Sequence, residues 1–231
     1  DGLGTDGCGV CGGDDSSCNQ PTVNNSVTQV NEDQSVTFTL VVSDPNNDSP
    51  MVIVISEPSH ASTANGGSLS FSGKNATYEP DDNYFGSDAF TFIIQGSACD
   101  NDPPSSACKD GFWKSDTAMV TIDVMSVNDN PISKAFTISN IISGTPITIN
   151  FDTLTSDVDG DLLTLFTTPP SASDTLETIF NATLVPTEDS GDGLTYVYSA
   201  DSNSSQKIDF ILYKASDSST ESDLSLGTFE Y

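Results

Sequence analysis

Two loops carry oxygen side chains at every second position, Asp44/Asn46/Asp48 and Asp157/Asp159/Asp161. Alternate carboxylates and carboxamides can converge hard oxygens on one point. Ca2+ is held that way, by roughly six to eight oxygens from carboxylates, Asn side chains, backbone carbonyls and water. In the second loop Gly160 permits a tight turn between the carboxylates. The competing reading is a pair of solvated turns, because Asp and Asn favour turns through local hydrogen bonds alone.

Other chemistry is thinly represented. Asp157 opens its loop as an EF-hand would, but Thr168 stands at the twelfth position where a bidentate Glu is needed, so that motif is rejected. His60 is the only histidine and lies in the polar stretch Pro58-Ser59-His60-Ala61, with no nucleophile-elbow sequence to accompany it. Acidic residues are everywhere, and nothing marks the shaped cleft that a carboxylate-pair glycosidase needs. Trp113, Tyr84 and Phe85 have the ring faces to stack on sugars, but Phe112 and Trp113 read better as cover for a sheet edge or for a neighbouring loop. The chain reads as no enzyme.

The elements that deliver the acidic loops are strands, and they recur. Val36/Phe38/Leu40/Val42 alternate into the first loop, and Ile147/Ile149/Phe151 into the second. A second pair of matches follows: Ala76–Asp81 and Ser87–Ile94 against Leu194–Ser199 and Gln206–Tyr213. Repetition at roughly 110 residues is the mark of an array of like modules. Strand candidates in the first module are 26–30, 35–42, 51–56, 68–71, 76–79, 88–95 and 117–125. Short alternating strands between Gly, Pro, Asn and Asp turns predict a β-sandwich. No segment has helical periodicity.

The net charge is −28, from 34 acidic residues and 6 lysines. Nothing here neutralises a phosphate backbone, so nucleic acid is excluded as a partner, and an anionic membrane surface is disfavoured for the same reason. Self-repulsion at this charge calls for salt or bound divalent cations. Twelve Phe, six Tyr and abundant β-branched residues argue against disorder. No apolar run reaches the length of a membrane-spanning helix. The first residue is Asp1 and the last, Tyr231, falls in an expected strand, so both ends are expected to be cuts in a longer polypeptide.

Five cysteines are present. Cys99 and Cys108 bracket a Pro-, Ser- and Asp-rich loop and are expected to pair. Of Cys8, Cys11 and Cys18, two can pair and one is left for a cysteine upstream. Half a zinc site at Cys8-Gly-Val-Cys11 lacks two further ligands. Sequons at Asn24, Asn47, Asn75, Asn181 and Asn203 fit an oxidising, extracellular setting with N-glycans.

Residues 1–19 are too poor in apolar side chains to build a core and must be held by disulfides or a neighbour. Asp6–Cys18 is similar to the CGVCGGDNSSC element of Cys-rich segments in large extracellular matrix and cell-surface proteins. Two sandwiches are expected after it, 20–131 and 132–231, the second with altered loops and its terminal strand open to being incomplete.

The order of motifs in the first module carries a second resemblance. Asn31-Glu32-Asp33 opens a strand, Ser43–Asp48 follows, then Tyr78-Glu79-Pro80-Asp81-Asp82-Asn83-Tyr84-Phe85-Gly86-Ser87-Asp88-Ala89-Phe90-Thr91-Phe92, then Ser115–Ile122, closing on Val127–Pro131. This resembles the tandem cadherin-like (Ig-like) repeats of giant surface proteins. The resemblance implies an all-β fold of tandem antiparallel Greek-key sandwiches, with calcium near the junctions. Asn128-Asp129-Asn130-Pro131 resembles the cadherin linker, with Ser126 in place of its leading Asp. The ligands it implies are Glu32 or Asp33, then Asp129 and Asn130, then Asp157, Asp159 and Asp161.

The function expected is a structural or adhesive segment of a large secreted or cell-surface glycoprotein, extending or assembling with like modules into a surface filament or coat. Two alternatives stand beside it: a calcium-stiffened spacer of a bacterial-type adhesin, and a carbohydrate-binding or spacer module of a secreted hydrolase.

Overall fold

The computed structural model describes residues 20–44, 50–98, 108–167, 175–180, 182–187, 194–199 and 207–231. The chain divides into two units, Asp1–Val127 and Asn128–Tyr231. The disulfide-held segment expected over 1–19 lies outside the described residues.

Unit 1 is made of β1 (Thr22–Val23), β2 (Ser26–Asn31), β3 (Val36–Thr39), β4 (Val42–Ser43), β5 (Met51–Ser56), β6 (Ser68–Ser72), β7 (Asn75–Glu79), β8 (Gly86–Ala98), β9 (Cys108–Lys109), β10 (Phe112–Lys114) and β11 (Ala118–Met125). One sheet runs β2-β11-β8-β10-β9, with β5 on the other edge of β8; a second runs β3-β7-β6. Period-two patterning drives them together. In β11 Ala118, Val120, Ile122 and Val124 point inward while Met119, Thr121, Asp123 and Met125 point out. In β8 Phe90, Phe92 and Ile94 are fully buried. They meet Phe38 and Phe71 of the other sheet, with ring centroids 6.4 and 5.9 Å from Phe90. The chain passes from sheet to sheet (β3, then β5, then β6–β7, then β8), which is a Greek-key sandwich.

Three details depart from the expectation. The strand expected over 35–42 is two strands, because Val42–Ser43 leave the β3-β7-β6 sheet to pair with β1. The strand expected over 88–95 runs from Gly86 to Ala98 and carries a β9–β10 hairpin on its far end. The sheet is also not wholly antiparallel: β2 pairs in parallel with the last strand, from Ser26↔Val120 to Asn31↔Met125.

Unit 2 repeats the plan with β12 (Ile132–Ser133), β13 (Phe136–Ile138), β14 (Ile147–Asn150), β15 (Thr155–Ser156), β16 (Thr164–Thr167), β17 (Leu176–Glu177), β18 (Thr183–Pro186), β19 (Thr195–Ser199), β20 (Ile208–Ser216) and β21 (Ser225–Glu230). Its sheets are β13-β21-β20-β16 and β14-β19-β18-β17, again with the first long-sheet strand parallel to the last. Aromatic rings fill its core. Tyr198 stacks on Phe229 at 4.0 Å, and Phe151 meets Tyr213 edge-on at 5.0 Å. Apart from 3-10 turns at Thr63–Asn65 and Phe151–Thr153, the named elements are all strands.

The two units share a buried latch. In unit 1 the Tyr78 hydroxyl donates to Asp88, which also accepts the backbone N–H groups of Ser59 and His60. In unit 2 the Tyr198 hydroxyl donates to Asp209, which also accepts Thr178 Oγ1 and the N–H of Phe180. Each latch ties the loop before the second sheet's inner strands to the start of the long strand β8 or β20. It also corrects the repeat alignment. By sequence Tyr78 matches Tyr196, but the residue with its role is Tyr198, two positions on. A slip of two preserves which side chains face the core, so pattern alone does not detect it.

Candidate functional site

At the end of unit 1, Glu32 is almost fully buried. Its backbone N–H donates to Met125 O, and its Oε1 accepts the N–H of Val127 at 2.6 Å. Asp33 has a positive φ of 56° and accepts the N–H of Asn83 at 2.9 Å. Asp44 follows β4 directly. The other members of its loop, Asn46 and Asp48, lie outside the described residues, as does Asn47.

In unit 2 the carboxylates form a chain of contacts. Asp159 Oδ2 accepts the N–H of Asp129 at 2.7 Å, and Asp157 Oδ1 accepts the N–H of Asp159 at 2.9 Å. The N–H of Asp161 reaches Asp157 Oδ1 only at 3.5 Å, and its side chain is exposed, as is that of Asn130. Gly160, at φ 77° with open space around its Cα, makes the turn. The sequence therefore brings Asp129, Asp157 and Asp159 together, with Asp161 and Asn130 at the margin.

Asp217 lies beside Asn128, at the Asp129 end of this run of contacts, and was not singled out by the sequence. It lies in the turn after β20, 5% exposed. Its Oδ1 accepts the N–H groups of Ser219 and Thr220, both at 2.6 Å, and its Oδ2 accepts Asn128 Nδ2 at 2.7 Å. The Thr220 N–H, followed by the Asn128 amide, holds the Asp217 carboxyl well below the usual carboxylate range. Thr220 Oγ1 donates in turn to the Asp129 carbonyl. The signal that could have found it is Ser216-Asp217-Ser218-Ser219-Thr220, an Asx-turn sequence at the end of an apolar strand.

Among the described residues, Asp157, Asp159, Asp161 and Asp217 take part in no ion pair. Asp157 Oδ2 is buried and accepts no hydrogen bond. A buried carboxylate oxygen without a donor is costly, and a hard cation satisfies it directly. The donor set is all oxygen, which fits Ca2+ in kind. Among the described residues, however, no three His, Cys, Asp or Glu side chains are drawn together closely enough to hold a metal ion. Backbone amides occupy several of the oxygens instead.

The sequons at Asn24 and Asn75 have exposed side chains. Those at Asn47, Asn181 and Asn203 lie outside the described residues. Cys108 is disulfide-bonded, while Cys8, Cys11, Cys18 and Cys99 lie outside the described residues. Trp113 is 5% exposed and clusters with Cys108, so its ring presents no free face to a sugar. His60 lies flat on Tyr84 at 3.8 Å, with Nδ1 4.0 Å from Asp81 Oδ2, over an open depression of about 490 Å³. Its backbone serves the Asp88 latch, and its ring has no nucleophile in hydrogen-bond reach among the contacts of the described residues.

Residues 19–123 match the family model described as a bacterial Ig domain. No curated protein matches the chain. Among solved structures, repeats EC22–24 of mouse cadherin-23 align with 92% of this chain and 64% of their own at 15% identity, with a TM-score of 0.49. Human protocadherin-24 EC1–2 aligns with 91% of this chain and 97% of its own at 14% identity, TM-score 0.49. An endo-fucoidan hydrolase of glycoside hydrolase family 107 aligns with 93% of this chain at 14% identity, TM-score 0.37, and the chain spans 29% of its length.

Proposed function

We propose that this chain is a non-catalytic structural segment of a secreted or cell-surface glycoprotein, whose sandwich units extend the polypeptide and associate with like modules. The observation that carries the reading is repetition: two units of one topology close on the same buried Tyr–Asp latch, while their loops differ. A fold kept in its interior and varied at its surface serves as a repeating spacer. The match of residues 19–123 to a bacterial Ig domain supports this and gives weight to the adhesin-spacer alternative. Sugar binding through Trp113 is disfavoured by its burial.

The finer reading is that Ca2+ binds unit 2 beside Asp157 and Asp159, with Asp129, Asn130 and Asp161 near by and their side chains drawn in as it binds. The ion would answer the unpartnered Asp157 Oδ2 and the like-charge repulsion between Asp157 and Asp159. Binding to the folded state alone stabilises it by about 2.7 kcal/mol at a hundredfold excess over Kd.

Electron microscopy of the parent protein from its native source, with Ca2+ and after chelation, tests the whole. Ordered filaments or sheets that loosen in chelator are expected. Isolated flexible strings in both conditions would overturn assembly and calcium together. Calorimetric titration of Ca2+ into the 231-residue chain, and into Asp157→Asn, tests the ion alone. Glycans on Asn24 or Asn75 would separate the glycoprotein from the bacterial adhesin.

A further inference from the structure

We propose that the outer face of the β13-β21-β20-β16 sheet of unit 2 seats the same face of a second copy of this chain about a two-fold axis. This rests on the reading of the chain as an associating structural module and names the surface that does it.

The outward residues of β20 are Ile208, Phe210, Leu212 and Lys214. Across the sheet Leu212 lies opposite Leu226, Ile208 opposite Glu230, and Lys214 opposite Phe166. Phe166, Ile208 and Leu226 are 48%, 42% and 41% exposed. The centre of this face is therefore apolar. Of the outward-pointing strand residues, only Glu230 and Lys214 are charged, and they stand at opposite ends of it. The outer face of the other sheet is more polar: there Thr148, Asn150, Thr183, Thr195 and Ser199 point outward beside Val185 and Val197.

The charges select the partner. Glu230 (beside Ile208) and Lys214 lie about 20 Å apart along the strand at ~3.3 Å per residue, centred on Ile211. A two-fold axis lying across the strands at that centre reverses strand direction. Each Lys214 then meets Glu230 of the second copy, one strand spacing to the side and within a lysine's reach. Stacking with the strands parallel would instead set Lys214 on Lys214. The face is self-complementary only with the two-fold axis across the strands, where Lys214 meeting Glu230 is matched by Glu230 meeting Lys214. A basic partner would be drawn to the acidic loops that give the chain its net −28, not to a face with one charge of each sign.

With β13 and β16 only three and four residues long, strands ~4.8 Å apart cover roughly 300 Å² of projected area per copy, below the size of a stable pair and in the range of a weak, transient one. A Kd in the range of tens to hundreds of micromolar is expected, which an array of modules would multiply by avidity.

Sedimentation equilibrium of the 231-residue chain between about 10 and 500 µM tests it, since that range brackets the expected Kd. A reversible dimer is expected, weakened at least about tenfold by Leu212→Asp. Lys214→Glu and Glu230→Lys should each weaken it several-fold, and the double variant should restore it. Lys214 also pairs with Glu221 at 3.2 Å, and Glu230 accepts Ser139 Oγ. Loss of those contacts cannot be rescued by the double reversal, so recovery identifies the contact between copies. These two exposed positions keep the test open if Leu212→Asp unfolds the unit. A strict monomer, a dimer indifferent to Leu212→Asp, or a double variant weaker than either single would overturn the proposal and assign the face to another protein or to a glycan. Parallel melts with Ca2+ separate the readings: a monomer that Ca2+ still stabilises leaves the structural-module reading standing.

Discussion

Tyr78 donates its hydroxyl to the Asp88 carboxylate across 3.0 Å inside unit 1, and Tyr198 does the same to Asp209 across 3.1 Å inside unit 2. In each unit one carboxylate, 5% or less exposed, gathers donors from a tyrosine and from a loop that would otherwise drift from the sheet.

Removing either partner of the latch should destabilise unit 1 unequally. Tyr78→Phe deletes one donor and is expected to cost about 1–2 kcal/mol. Asp88→Asn turns an NH2 group toward the N–H groups of Ser59 or His60 and is expected to cost about 2–4 kcal/mol. Urea unfolding followed by Trp113 fluorescence reports unit 1 alone, because Trp113 is the only tryptophan. Equal costs for the two variants would contradict the account.

The buried hydroxyls set the alkaline limit. Burial pushes Tyr213 up to about 12, and burial followed by hydrogen bonding pushes Tyr78 (to Asp88) and Tyr198 (to Tyr231) further above the ordinary tyrosine range. The unfolded chain ionises near pH 10 while the folded chain keeps its protons. Stability is therefore full below about pH 10 and falls as pH rises from there toward 12. Absorbance at the phenolate band should show these three tyrosines ionising only as the chain unfolds. Asp217 acts at the other limit with the opposite sign. Its carboxyl is depressed, so its contribution is present above about pH 4 and is lost as pH falls below that. Asp217→Asn should flatten the acid limb of a pH melt of unit 2.

Gly227 is required by a close approach. It lies opposite Phe136 in the parallel β13–β21 pair, and an added Cβ would meet Phe136 Cζ at 2.4 Å and Ile211 Cγ2 at 2.6 Å. Gly227→Ala should cost about 1–3 kcal/mol through overpacking. Phe136→Leu alone loses ring contacts with Phe151 and Phe229. The pair of substitutions together should cost less than the sum, as denaturant melts of the double variant would show.

The Cys108 disulfide supports Trp113, which clusters with it. If Cys99 is its partner, the closed loop of about ten residues contributes roughly 2.5 kcal/mol. Cys99→Ser and Cys108→Ser should then cost the same, the double variant no more than either, and each should red-shift Trp113 emission. Unequal costs would assign Cys108 to another cysteine.

The sandwich was legible wherever burial is one-sided. The Ala118–Val124 alternation locates β11 to within a residue and Val36/Phe38 locate the start of β3, because a core on one face of a strand writes itself as period two. The long tail of β8 was not, since Gln95, Gly96 and Ser97 pair with a hairpin rather than face a core. The latch escaped for a related reason. Two tyrosines, Tyr196 and Tyr198, fit the same inward face of β19, and only the hydroxyl's partner tells them apart. Of the acidic residues, Asp157 and Asp159 announced themselves by local spacing, and Asp129 by its place in a linker-like motif. Asp217 did not, because its neighbours at Asn128 and Asp129 are distant in sequence and are brought there by folding.

The parallel pairing of β2 with β11, and of β13 with β21, has a mechanical consequence. A chain that enters along one strand and leaves along its parallel neighbour is pulled, under tension, along the strand axis. The rungs from Ser26↔Val120 to Asn31↔Met125 are then loaded in shear and must give way together, instead of peeling one at a time as a hairpin opened from its end would. Each unit thus resists stretching most strongly along the line on which a tethered polypeptide would be stretched.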